Sequence, residues 1–289
     1  MKKIFGFVAV LFVGLVLVAC GNDDNGDLPA GVRVENGITI VQIGVVGATQ
    51  DQWIPVNAAL AAYDIYVELV TFSQWTVPNP ALNDGEIALN AFQNHIFLEN
   101  AINTNGYELA VVGDTFVAPQ NVFNGRANIT PDHTRTSLLG YVQDGWYVGI
   151  PQDLTNGGRA LKVLEAAGLI TVDPAVGFLA TPADIIEFHV DITIRTAEAN
   201  TLPTLLLDLD IAVINNPQAL NHRLSANNES LFREDVLNIE IAGDLINIIA
   251  ARAGEENNEI FQRIIQAYQT QAVRDVFQNN FDGAFVPAW

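Results

Sequence analysis

The chain has 289 residues, enough for two ordinary domains or one large one. With 49% hydrophobic and only 16% charged residues, it is not a disordered chain. Its 33 acidic against 13 basic residues give a net charge of −20, and its three lysines (Lys2, Lys3, Lys162) form no basic stripe, which argues against nucleic acid as a partner. Anionic lipid headgroups would repel such a body as well. The acidity fits solubility or a salty habitat better than a site.

Lys2-Lys3 followed by the apolar residues 4–18 reads as a secretory signal, too short and wrongly flanked for a stable transmembrane helix. Leu17-Val18-Ala19-Cys20 ends it and resembles a bacterial lipobox, whose cysteine is acylated and becomes the first mature residue. Two or three acyl chains on that cysteine would anchor stably. Cys20 is the single cysteine, so no intrachain disulfide can form. Residues 21–37 lack periodicity and read as a flexible tether.

Residues 38–46 form a β-rich run. Trp53, Val56, Leu60 and Tyr63 then repeat at helical spacing, with Pro55 in the first turn. Residues 66–72 are the next strand, so the order β-α-β implies a parallel pair with a right-handed crossover. Asn79 as N-cap and Pro80 as first helical residue open a short helix that ends by Gly85. Residues 87–92 read as a strand, 93–98 turn it into a helix stopped at Asn105-Gly106, and 108–112 are again a strand. Residues 113–119 then cross to a second lobe.

Residues 120–140 are polar, with a helix start expected near Ser137-Leu138-Leu139. Residues 147–150 form an apolar strand that runs into Pro151 and a polar turn, 152–158. A helix follows, with Leu161, Leu164 and Ala167 on one face and Gly168 as its stop. A strand that delivers a helix N-terminus beside Arg159 is a carboxylate trap, since unpaired N–H groups, the dipole and a planar guanidinium all favour an anion. The same residues also fit an Asn-Gly turn with an arginine paired to a nearby acid. Further on, 181–186 suit a short helix, 190–195 a strand, 202–207 a helix, 211–214 a buried strand ending at Asn215, and 236–242 a strand. From 259 to 281 a long amphipathic region turns Phe261, Ile264, Ile265, Tyr268, Val273 and Phe277 inward.

Repeated β-α units broken by one crossing predict two α/β lobes. Ligand sites in such folds lie beyond the carboxyl ends of strands and between domains. Trp75, residues 92–97, Asn156 with Arg159, and Asn215 each follow a strand, which is the physical reason to group them in one site.

These segments resemble the NlpA/MetQ family, the methionine-binding lipoproteins of bacterial ABC uptake systems. The resemblance runs from Ile38 to Trp289. It rests on Val-Glu-Leu-Val-Thr-Phe (67–72), Val-Pro-Asn-Pro-Ala-Leu (77–82), Asn-Ala-Phe-Gln (90–93), Gly-Asp-Thr-Phe-Val (113–117), Ile-Pro-Gln-Asp-Leu-Thr-Asn-Gly-Gly-Arg-Ala-Leu (150–161), Ala-Gly-Leu-Ile (167–170) and Ala-Val-Ile-Asn (212–215). It implies a two-lobed periplasmic-binding-protein fold, type II-like, with a ligand cleft between the lobes. Arg159 would grip the ligand carboxylate, Asn156, Asn215 and Asn238 would make polar contacts, and Phe92 would be among the rings around a thioether. Sulfur against a ring is worth about 0.3–1.5 kcal/mol per contact. Trp75 stands where the family has tyrosine, Asn94 where it has a ligand-contacting histidine, and Phe97 where it has a tyrosine. Ala118 stands where a tyrosine is common. An amino acid therefore fits better than methionine specifically, and a larger apolar amino acid or a short peptide could use the space at Ala118.

The implied division is a signal peptide over 1–19, a lipidated Cys20 and tether over 20–37, one lobe from 38–119 plus 236–289, and the other from 120–235. Hinges are expected at 118–121 and 234–236. The implied partners are an ABC permease with its ATPase, and the membrane through Cys20, on the extracytoplasmic face. No cofactor and no metal are expected, because His95, His133, His189 and His222 lack ligand spacing. No nucleophile elbow, phosphate loop or zinc-protease motif occurs, so the expectation is a binding protein and not an enzyme. Two rivals are a secreted hydrolase using cleft carboxylates, and a surface lipoprotein that has lost its ligand and serves adhesion or envelope structure.

Overall fold

A computed structural model describes residues 28–236, 242–281 and 284–289. In the first lobe, β1 (Val32–Glu35), β2 (Ile38–Val46), α1 (Trp53–Leu60), β3 (Ile65–Phe72), α2 (Pro78–Asn83), β4 (Leu89–Asn90), α3 (His95–Asn105) and β5 (Leu109–Asp114) follow one another. A short strand β6 (Phe116–Val117) leads out. The second lobe contains β7 (Gln120–Asn124), β8 (Tyr147–Pro151), α4 (Leu154–Ala166), β9 (Ile170–Val172), β10 (Ile185–Phe188), β11 (Thr193–Ala197), α5 (Leu202–Leu205), β12 (Ile211–Asn215), α6 (Asn216–Asn221) and β13 (Ser230–Arg233). The chain returns with β14 (Ile248–Arg252), α7 (Glu259–Tyr268), α8 (Gln271–Asn280) and β15 (Val286–Pro287), the last paired with β6.

The first sheet has β2 parallel to β3 and β4, with β14 antiparallel to both β4 and β5. The second is ordered β11-β8-β12-β7-β13, with β8, β11 and β12 parallel and β7 antiparallel between β12 and β13. Each sheet has its own core. Val41, Ile43, Trp53, Val56, Phe261, Tyr268 and Phe277 pack in the first. Val122, Val148, Ile150, Leu161, Leu164 and Val213 pack in the second. The helical spacing of Trp53, Val56 and Leu60 is thus core packing, since all three are buried, but Tyr63, the fourth of the expected stripe, lies past the end of α1 and is 57% exposed.

Several expectations change. Residues 32–35 lie inside the stretch read as tether, yet they pair with β2 from Val32↔Val41 to Glu35↔Ile38. The turn is Asn36-Gly37, both at positive φ (53° and 81°), the hairpin chemistry that an Asn-Gly pair supplies. The helix expected near Ser137 is absent: turns occupy the stretch, with Leu138 buried and Gly140 at φ 89°. The polar stretch from 120 begins with a strand, because Val122 and Phe123 are core and the polar Gln120 and Asn121 are buried against specific partners. The closing helix is two helices, broken at Gln269-Thr270. The strand expected over 236–242 falls almost wholly outside the described residues, while β14 is an addition, its Ile-Ile-Ala-Ala-Arg being too short and uniform to show a period.

The site follows from strand direction. β3, β4, β8 and β12 all end at the same cleft, and β14, antiparallel to β4, begins there. The two crossings are bonded to each other: Glu234 N–H donates to Gln120 O at 3.0 Å, and Gln120 N–H donates to Glu234 Oε2 at 2.8 Å. The lobes also touch around the cleft. Asn200 Nδ2 donates to Ser73 O at 3.2 Å, and Thr49 Oγ1 donates to Asn221 Oδ1 at 3.1 Å.

Candidate functional site

Arg159 sits on α4, whose start differs from the expected one. The helix begins at Leu154, so Asn156, Gly157 and Gly158 are inside its first turns. Asp153 caps it, accepting from Asn156 N–H at 2.9 Å. The helix N-terminus is therefore already served by an acid and is not an open anion trap. The glycines have a packing cause. A Cβ at Gly158 would lie 2.1 Å from the Phe178 carbonyl oxygen, and one at Gly157 would lie 2.7 Å from Pro151 O. We expect Gly158→Ala to cost about 1–3 kcal/mol by overpacking, measured as a lower urea midpoint with an unchanged slope.

The Arg159 side chain is 3% exposed and Glu234 7%, so their pairing is a desolvated one. Arg159 Nε donates to Glu234 Oε1 at 2.8 Å, and Nη2 donates to Glu234 Oε2 at 2.6 Å. Nη2 also donates to Ala118 O at 2.8 Å. Of the second reading of this arginine, the pairing with an acid is present, while the Asn-Gly turn is not, because those residues are helical. Arg159 is paired to an acid, yet Nη1 has no hydrogen-bond partner among the described residues, and Arg159 lines a small pocket between the lobes.

Around that pocket stand Trp75, Gln93, Asn94, Phe97, Ala118, Asn156, Asn215, Pro217 and Asn247. Asn156 Nδ2 donates to Asp153 Oδ1 at 3.0 Å, and Asn215 Nδ2 donates to Asn156 Oδ1 at 2.7 Å. This chain of amides leaves Asn215 Oδ1 buried with no partner among the described residues. Trp75 Nε1 is buried and unpartnered in the same sense. Asn94 is the N-cap of α3 and accepts from Phe97 N–H at 2.9 Å, so its oxygen is engaged by the helix. Phe92 lies against both other rings, 6.2 Å from Trp75 and 5.8 Å from Phe97 between centroids. It faces an adjoining hollow that shares Trp75, Pro217 and Asn247 with the first.

The residues expected at the site from sequence therefore meet, except Asn238, which lies outside the described residues, as does the expected lipidation residue Cys20. The sequence reading missed three residues, and left Gln93 inside the grouped stretch 92–97 without a role. Glu234 stood in an expected hinge, and the need of any buried arginine for a partner was the signal that could have found it. Gln120 donates from Nε2 to Asn156 O at 3.2 Å. Gln93 joins a buried amide cluster: it exchanges hydrogen bonds with Asn79 at 2.8 and 2.7 Å, and Asn90 Nδ2 donates to Asn79 Oδ1 at 2.9 Å. Asn247 is pinned through its backbone, with N–H donating to Phe116 O at 2.7 Å and O accepting from Thr115 N–H at 2.8 Å. Its side chain is left toward the pocket.

Among the described residues, no group of three His, Cys, Asp or Glu could hold a metal ion, and no helix is long and apolar enough to cross a membrane. A small polar and aromatic pocket between two α/β lobes is the arrangement of the two-lobed periplasmic-binding-protein fold. The chain belongs to the NlpA lipoprotein family, whose model matches residues 41–289. It is similar to the D-methionine-binding lipoprotein MetQ of Escherichia coli (strain K12), 33% identical over 291 residues, covering 99% of this chain and 98% of that protein. Among solved structures it is similar to the methionine-binding protein MetQ, with TM-score 0.76, 33% identity, and 86% and 98% of the two chains covered. A nutrient-binding protein from Burkholderia cenocepacia bound to methionine is also similar, with TM-score 0.76, 27% identity, and 86% and 100% covered. As a member of this lipoprotein family the protein is held at the extracytoplasmic face of the membrane.

Proposed function

We propose that the protein captures a zwitterionic amino acid of about methionine's size in the cleft and delivers it to an ABC importer. The observation that carries this reading is the pairing of two idle polar groups in one small pocket. Arg159 Nη1 is a charged donor for a carboxylate, and the buried Asn215 Oδ1 is an acceptor for an ammonium. Asn156 and Asn247 add amides at the rim, Asn94 adds its Nδ2, and Asn238 is a further contact by family resemblance. Trp75, Phe92 and Phe97 form the apolar end.

In this reading residues 38–119 with 236–289 move as one lobe and 120–235 as the other, with hinges at 118–121 and 234–236. Closure is driven by the ligand's higher affinity for the closed form. The closed protein docks on a permease driven by a cytoplasmic ATPase, and acylated Cys20 holds it at the membrane. The test is native mass spectrometry of the chain lacking residues 1–20, before and after unfolding and refolding, followed by calorimetry. We expect an adduct of methionine's mass, or a stoichiometric methionine titration of the refolded protein. Absence of both, with no other amino acid bound, would refute the reading. Phe92→Ala should weaken methionine about tenfold, or about 1.4 kcal/mol, through lost ring contact, with little change for the shorter alanine.

A further inference from the structure

We propose that Glu234 sets the net charge of the ligand, so that the pocket selects a zwitterion over a plain carboxylate. The inference rests on the amino-acid reading above and adds a specificity-determining residue to it. Arg159 is the one ionised side chain among the described residues that line the pocket. Glu234 lies directly behind it at 2.6–3.1 Å and is as shielded from water as the arginine. Asp153 is further off, beyond Asn156, and its charge faces the helix N-terminus that it caps.

The charges of the empty pocket thus cancel before any ligand enters. A carboxylate that takes Nη1 brings one negative charge into a desolvated site where the arginine is already matched. That charge is tolerated when the ligand carries its own ammonium, for which Asn215 Oδ1 waits, and is penalised when it does not. Without Glu234 the pocket would hold one positive charge and would match a monoanion. The acid is also bonded to the crossing strand through Gln120 N–H, so its position relative to the arginine is fixed by the backbone.

The test compares L-methionine with its des-amino analogue, the methylthio-substituted butanoate, on wild-type protein and on E234Q. Glutamine keeps the shape and an acceptor for Arg159 and removes the charge. Wild type is expected to prefer the amino acid by at least about 100-fold, and E234Q to reduce that preference about tenfold. Each preference is a ratio on one protein, so a merely looser fold does not move it. A reduction of less than about threefold overturns the proposal. E234D, which keeps the charge, is expected to keep the wild-type preference.

Should E234Q fail to fold, wild-type protein answers alone by competitive calorimetry of the two ligands. Methionine is expected to bind at least about 100-fold more tightly than the analogue. An analogue that binds wild-type protein within tenfold of methionine overturns the proposal. Wild-type protein that binds no amino acid removes the amino-acid reading itself, and this inference with it.

Discussion

Arg159→Ala is expected to abolish measurable methionine binding and to unfold the protein more easily, and the two losses have different causes. Binding falls by at least about 100-fold because the carboxylate loses its charged donor in a dry pocket. Stability falls by about 3–5 kcal/mol because Glu234, 7% exposed, is left as an unpaired buried charge. Calorimetry reads the first and urea unfolding the second. The double variant Arg159→Met/Glu234→Met separates them. Replacing both ions by apolar chains is often neutral, so stability should return toward wild type while binding stays lost. A single variant that keeps full affinity would remove Arg159 from the site.

Asn79→Ala is expected to be the most damaging change outside the ion pair. Asn79 is 3% exposed and exchanges two amide hydrogen bonds with Gln93, while accepting from Asn90. Its removal leaves the Gln93 oxygen without its donor and the Asn90 amide with only a long bond to Pro78 O, 3.4 Å. At about 1–3 kcal/mol for each buried group left unsatisfied, the sum is about 2–5 kcal/mol, visible as a lower urea midpoint. Gln93 is also in the pocket wall, so the variant should bind methionine more weakly even at temperatures where it stays folded. Normal affinity in a destabilised Asn79→Ala would show that the amide cluster supports the fold alone.

The alternation of the main strands and the helical stripe from Trp53 were legible because their period is local and strong. So was the gathering of Trp75, Asn156, Arg159 and Asn215, since parallel strands end on one edge whatever their order in the chain. What escaped were facts set by tertiary partners. Val32–Glu35 is short, and only its Asn36-Gly37 turn signals the hairpin. Gln120–Asn124 looks polar because its amides serve the other crossing and not solvent. Glu234 is separated from Arg159 by 75 positions, and no spacing rule connects acids to a buried base at that distance. Asn247 is one asparagine among many until β14 places it against β4 and the pocket.

The hairpin of β1 and β2 has a mechanical consequence. Arg252 clamps the segment before β1, donating from Nη2 to Ala30 O at 2.8 Å and from Nη1 to Ile87 O at 2.8 Å. A pull on the chain from its N-terminal side is therefore borne first by this clamp and by the ladder from Val32 to Glu35, both in the first lobe. The second sheet lies outside that load path.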